Sequence, residues 1–182
     1  MISRRDFLKM ASCASLTAAS PSAFASAALQ TPPQGERILR FQNIHTGEKV
    51  AATYWADGHY IAEELAMIDR VLRDHRSREV AKMDRNLYDL LFALQQQVEK
   101  DNTFQVISGY RSPASNAKLR KAGGGGVAKR SLHMRGKAID IRLPGVELKH
   151  LRQAALELRA GGVGYYPKSN FIHVDTGHPR FW

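Results

Sequence analysis

S131-L-H-M-R-G-K-A-I-D140 and, further on, N170-F-I-H-V-D175 are the stretches on which the reading of this chain turns. From Lys137 to Leu143 the pattern alternates, with Ala138, Asp140 and Arg142 on one side and Ile139, Ile141 and Leu143 on the other. Phe171 to Asp175 repeats it, with His173 and Asp175 opposite Ile172 and Val174. Strict alternation is the signature of a strand with two unlike faces. Set side by side as strands, the two runs send Asp140 and His173 out of the same face of a sheet. Gly136 supplies the backbone freedom for His133 to fold back over the strand that carries Asp140. Two imidazoles and one carboxylate are a donor set that zinc accepts in an open site, with water as the fourth ligand.

Around this core the chain reads as one domain. Its 182 residues are 43% hydrophobic and 24% charged, an ordinary globular balance. Residues 1–25 read as an export leader. Ser3-Arg4-Arg5-Asp6-Phe7-Leu8-Lys9 is a twin-arginine motif, Met10 to Ala19 is mildly apolar, and Ala23-Phe24-Ala25 offers a cleavage site. The mature chain is expected to begin near Ser26 and to work in the periplasm, with 26–36 as a linker and 37–182 as the domain. The leader's apolar stretch is too short to span a bilayer, and no later segment is long enough. Cys13, the sole cysteine, lies in the leader, and only Met10, Ala11 and Ser12 separate it from Lys9, so the apolar run of a lipoprotein signal is missing. A mature chain without thiols suits an oxidising compartment and excludes thiolate ligands and a cysteine nucleophile.

The net charge is +10. The leader holds three cations and one acid, so eight of those positive charges fall on the domain. Such a surplus favours polyanions. Outside the cytoplasm the abundant anions are carboxylates of wall peptides rather than nucleic acid. The plain alternative is that the charge only keeps the protein soluble.

The remaining segments supply a scaffold. Arg37 to Gln42 and Lys49 to Trp55 flank the turn residues Asn43 to Gly47, a hairpin placed at an edge of the sheet, with His45 solvated in its turn. Ile61, Leu65, Ile68 and Leu72 recur at helical spacing and predict a helix over 62–75. Asp84 caps a second helix that buries Leu87, Leu90, Leu91 and Leu94. The charges from Arg70 to Arg85 read as solvated surface without function. Phe104 to Ser108 is a strand, from whose end Arg111 points into a cleft, and Ser112-Pro113 opens a short helix. Gly123 to Gly126 is a flexible loop; it lacks the lysine and hydroxyl residue of a phosphate cradle. Glu147 to Arg159 is an amphipathic helix with His150 on its polar side, and Gly161 to Tyr166 forms a last hairpin with Phe171 to Asp175. Together these predict an α+β fold: a small, mostly antiparallel sheet, helices on one face and the zinc site at the sheet.

S108-G-Y-R-S112, H133-x-x-G-x-A-x-D140 and F171-I-H-V-D175 resemble the zinc peptidases of the D-Ala-D-Ala and hedgehog type. Within that superfamily the chain is similar to the MepK (YcbK-like) murein endopeptidases, from the export signal to the closing aromatics and including G161-G-V-G-Y-Y-P-K-S-N-F-I-H-V-D-T-G177. The resemblance implies zinc on His133, Asp140 and His173, with Arg111 beside it holding the substrate carbonyl. It implies an enzyme that hydrolyses peptidoglycan cross-links, at D-Ala–diaminopimelate or diaminopimelate–diaminopimelate bonds; the protein is expected to be a monomer. A carboxypeptidase, a hedgehog-like module that binds without cleaving, and a metal-free wall-binding protein are the alternatives.

One position departs from the superfamily pattern. Asn170 stands where many members carry a glutamate base three residues before the last histidine. Asp175 is the substitute, either as base or as the group that orients a ligand; His178 is a further candidate.

Overall fold

The computed structural model describes residues 35–99, 102–123 and 126–182. The leader with Cys13, linker residues 26–34 and the glycines at 124 and 125 lie outside the described residues. Strands β1 (Arg37–Asn43) and β2 (Lys49–Ala56) form the expected antiparallel hairpin, extended by the two-residue β3 (His59–Tyr60). There follow α1 (Ala62–Val71), α2 (Arg85–Gln97), β4 (Phe104–Ser108), α3 (Pro113–Lys121) and β5 (Ala138–Arg142). The chain closes with α4 (Leu148–Leu158), β6 (Gly162–Tyr166), β7 (Phe171–Asp175) and β8 (Arg180–Phe181).

Among the described residues, the eight strands join one sheet in the order β3-β2-β1-β4-β5-β7-β6-β8. The sheet is wider than the hairpins alone suggest, and mostly antiparallel; β1 with β4 and β6 with β8 are the parallel pairs. The register of β5 against β7 sets Ala138 opposite Asp175, Ile139 opposite Val174 and Asp140 opposite His173. Alternation then sorts the side chains. Ile139, Ile141, Ile172 and Val174 are fully buried in one cluster with Ile68 and Leu72, with Leu87, Leu91 and Leu94 of α2, and with Leu151 of α4. Burying each such side chain stabilises the fold by roughly 1.5–3 kcal/mol. Asp140 and His173 leave the opposite face.

Two expectations need correction. The first helix stops at Val71, not His75, because the chain turns at Leu72, whose carbonyl accepts from Tyr110 N at 2.8 Å. The charged run from Arg70 to Arg85 is not merely solvated. Asp74 is buried and accepts from Ser112 N at 2.8 Å and Arg76 N at 2.9 Å. Burial pushes its carboxyl up, but the Ser115 side chain together with these amides holds it well below the usual range. Asp84 caps α2 through Asn86 N as expected, and it also accepts from Thr176 Oγ1 at 2.9 Å. The segment therefore anchors both the Arg111 loop and the end of β7.

Candidate metal centre

Each ligand candidate is placed by a local feature of the chain. His133 sits in a short 3-10 turn, Leu132–Arg135, that ends at Gly136 in the left-handed conformation, φ 65°. A side chain at Gly136 would also meet Lys82 O at 2.6 Å, so this position serves both the bend and the packing. Asp140 and His173 face each other across the β5–β7 ladder.

The three side chains converge. His173 Nδ1 lies 2.9 Å from Asp140 Oδ1 and 3.2 Å from His133 Nε2, and His133 Nε2 lies 3.3 Å from Asp140 Oδ1. All three residues are buried, with one ligand atom each inside a 4.8 Å group.

The outer nitrogens test whether a cation fits. His133 Nδ1 donates to Gly109 O at 2.8 Å, and His173 Nε2 donates to Asp175 Oδ2 at 2.9 Å. With those protons assigned by their acceptors, both inner nitrogens carry lone pairs, aimed at one another and at a carboxylate. Such a cluster is repulsive until a cation or a shared proton lies between its members. Burial draws the His173 pKa down, but hydrogen bonds and charge from Asp140 and Asp175 outweigh it and leave it raised. Burial likewise pushes Asp140 up, and the His133 and His173 contacts hold it below the usual carboxylate range. The donor set thus fits a divalent metal of the zinc type.

Asp175 is fully buried and its oxygens are occupied. Oδ1 accepts from Gly162 N at 3.0 Å, Gly177 N at 2.8 Å and Arg180 Nη1 at 3.1 Å. Oδ2 accepts from Arg180 Nη2 at 2.7 Å besides His173 Nε2. It stands at the outer nitrogen of His173, away from the converging donors, which is the position of an orienting group.

Arg111 leaves the end of β4. Its Nη2 lies 3.6 Å from Asp140 Oδ2 and donates to Ser108 Oγ at 3.2 Å. Burial pulls this guanidinium below its ordinary value, and Asp140 opposes the shift. Gly109 permits this arrangement, since a Cβ there would fall 2.3 Å from Leu72 O.

Other candidates stay outside. Asn170 caps a 3-10 turn at φ 52°, a left-handed position that asparagine adopts more readily than glutamate. His178 and His150 are exposed and do not line the cleft. His45 is exposed, yet its ring stacks on His75 at 3.8 Å.

The cleft over the three donors has a volume of about 410 Å³. Tyr166, Trp182, Arg130 and Arg180 line it, and sequence reading had assigned no role to any of them. The indole of Trp182 lies 5.3 Å from the His173 ring, and its Nε1 donates to Tyr166 Oη at 2.8 Å. Gly164 is the trace of this contact in the sequence, since a Cβ there would meet the indole at 2.8 Å.

A family model described as peptidoglycan L,D-endopeptidase MepK matches residues 31–182. The Escherichia coli (strain K12) protein named peptidoglycan L,D-endopeptidase MepK is 46% identical over 158 residues, covering 87% of this chain and 85% of that protein. A Haemophilus influenzae protein named probable peptidoglycan L,D-endopeptidase MepK is 46% identical over 147 residues, 80% of this chain and 78% of its own length. With a buried His–Asp–His cluster at the heart of the matched region, the chain belongs to the MepK family of the M15 peptidases.

Proposed function

We propose that this protein is a zinc-dependent murein endopeptidase that hydrolyses cross-links between peptidoglycan stem peptides. Its family membership makes it a peptidoglycan hydrolase. The observation that carries the metal reading is the facing of His133 Nε2, His173 Nδ1 and Asp140 Oδ1, with both outer nitrogens already committed. These three would hold zinc, which when bound activates water and polarises a carbonyl.

The chain's own residues supply the rest. Arg111 presents a planar cationic fork beside Asp140, suited to an amide oxygen that gains negative charge during hydrolysis. Ser108 and Asn116 position that fork from behind. Asp175 holds the His173 ring in one orientation and tautomer, and Arg180 neutralises it; we assign it this orienting role in place of general base. The relatives' name favours the L,D cross-link, between the L-centre carbonyl of one diaminopimelate and the D-centre amine of another. The twin-arginine leader supports action in the periplasm.

Mass spectrometry of products from defined cross-linked muropeptides tests the reading. Zinc-loaded protein should cut the diaminopimelate–diaminopimelate link, and chelator or His133→Ala should abolish the cut. Cleavage that survives either treatment would overturn it. Release of only a terminal residue would establish a carboxypeptidase instead.

A further inference from the structure

The cleft holds three guanidinium groups, of Arg111, Arg130 and Arg180, against the two carboxylates of Asp140 and Asp175. Arg111 lies against Asp140, and Arg180 clasps both oxygens of Asp175. Arg130 is different: it is exposed at the cleft wall and, among the described residues, has no hydrogen-bond or ion-pair partner. A divalent ion on the three donors adds two more positive charges. A neutral peptide segment offers nothing to balance this field, whereas an anionic group does.

Tyr166 provides a second recognition group. It closes β6 and is stacked on Phe171 at 4.5 Å, so its ring is fixed. Trp182 Nε1 donates to its oxygen, which occupies one lone pair and leaves the phenol proton without an acceptor among the described residues. The same indole packs on His173, and Tyr166 lines the cleft over the ligand cluster. A cation and a spare O–H donor in one cleft are the pair a carboxylate takes up through charge-assisted hydrogen bonds.

We propose that Arg130 and Tyr166 form a subsite for the carboxylate on the carbon that bears the scissile nitrogen, so that the enzyme distinguishes a cross-link from an ordinary peptide bond. The chemistry of the link demands such a group. A diaminopimelate joined through its D-centre amine keeps a carboxylate on that same carbon. The inference rests on the endopeptidase reading above and adds to it what the cleft recognises on the leaving side.

The test uses zinc-loaded full chain and two cross-linked muropeptides, identical except for a free carboxylate or a carboxamide at that carbon. The wild type should favour the carboxylate by about tenfold in kcat/KM, chiefly through KM, as expected for one charge-assisted hydrogen bond. Arg130→Gln should cut kcat/KM on the carboxylate substrate by about tenfold and on the amide by less than about twofold, so the preference collapses. Tyr166→Phe should erode the preference in the same direction. Zinc content and melting temperature, measured alongside, should match wild type. Equal use of both substrates by wild type, or equal losses on both in Arg130→Gln, would overturn the subsite. Should neither substrate be cut, the endopeptidase reading fails, and calorimetric binding of the same two compounds then decides the subsite by itself. Tighter carboxylate binding that Arg130→Gln removes supports it, and equal binding overturns it.

Discussion

The outer nitrogen of His173 donates to Asp175 at 2.9 Å, and this single bond turns the inner nitrogen toward His133 and Asp140. Asp175→Asn keeps the size but can present an N–H to that nitrogen, and it removes the charge that Arg180 clasps. Zinc affinity should fall by about ten- to a hundredfold, the usual cost of losing a group that orients a metal-bound imidazole. Competition against a chromogenic chelator measures this. Wild-type affinity in the variant, with loss of turnover only, would instead assign Asp175 to proton transfer.

The part of this site that was legible in the sequence is the part with short-range periodicity. Alternation in β5 and β7 put Asp140 and His173 on one face, and the structure sets them opposite one another in the register. Gly136 likewise announced the bend that returns His133. What could not be read depends on backbone groups meeting across long sequence distances. Asp74 reaching Ser112 N, Gly109 O receiving His133, and Trp182 lying over Gly164 leave no periodic trace. The charged run that contains Asp74 looked solvated because composition does not reveal which carboxylate turns inward. Asp175 remained ambiguous for the same reason, since its role is set by the amides of Gly162 and Gly177 as much as by its own strand.

Metal removal should destabilise the protein. A ligand present at about a thousand times its Kd stabilises the folded state by about 4 kcal/mol if it does not bind the unfolded chain. Without a cation the facing nitrogens and carboxylate repel or must share a proton. Differential scanning calorimetry should therefore show a lower melting temperature after chelation, restored by zinc. In His133→Ala the chelator-induced shift should disappear, and a shift of wild-type size there would argue that the ion binds elsewhere.

Gly161 is fixed by packing. A Cβ at this position would stand 1.6 Å from the carbonyl oxygen of Asp175, a backbone atom that can yield only by moving the strand end. Gly161→Ala should cost about 3 kcal/mol or more in urea denaturation, at the upper end for overpacking. Gly35→Ala is the control, since nothing lies within 4 Å of the added atom. A small effect at Gly161 would mean that β6 and the end of β7 shift without penalty.

His75 predicts a dependence on pH. Burial lowers its pKa to about 4, with the charges of Arg76 and of the stacked His45 in support and Asp74 in opposition. Glu48, Arg73 and Arg78 line the same surface hollow. The folded state therefore prefers neutral His75, while the unfolded chain binds a proton near the ordinary value of about 6.5. Stability conferred by the neutral ring is complete above that value and is lost as pH falls from about 6.5 toward about 4. Asp74, whose carboxyl is depressed, contributes its own loss at lower pH, as the medium passes below the ordinary carboxylate range of about 4. The two windows are thus separable. Denaturant midpoints measured from about pH 2 to 7 should decline with acid between about 7 and 4 in wild type and flatten there in His75→Gln, whereas Asp74→Asn should alter the slope below about pH 4. An unchanged slope in His75→Gln would mean that another group takes up the proton.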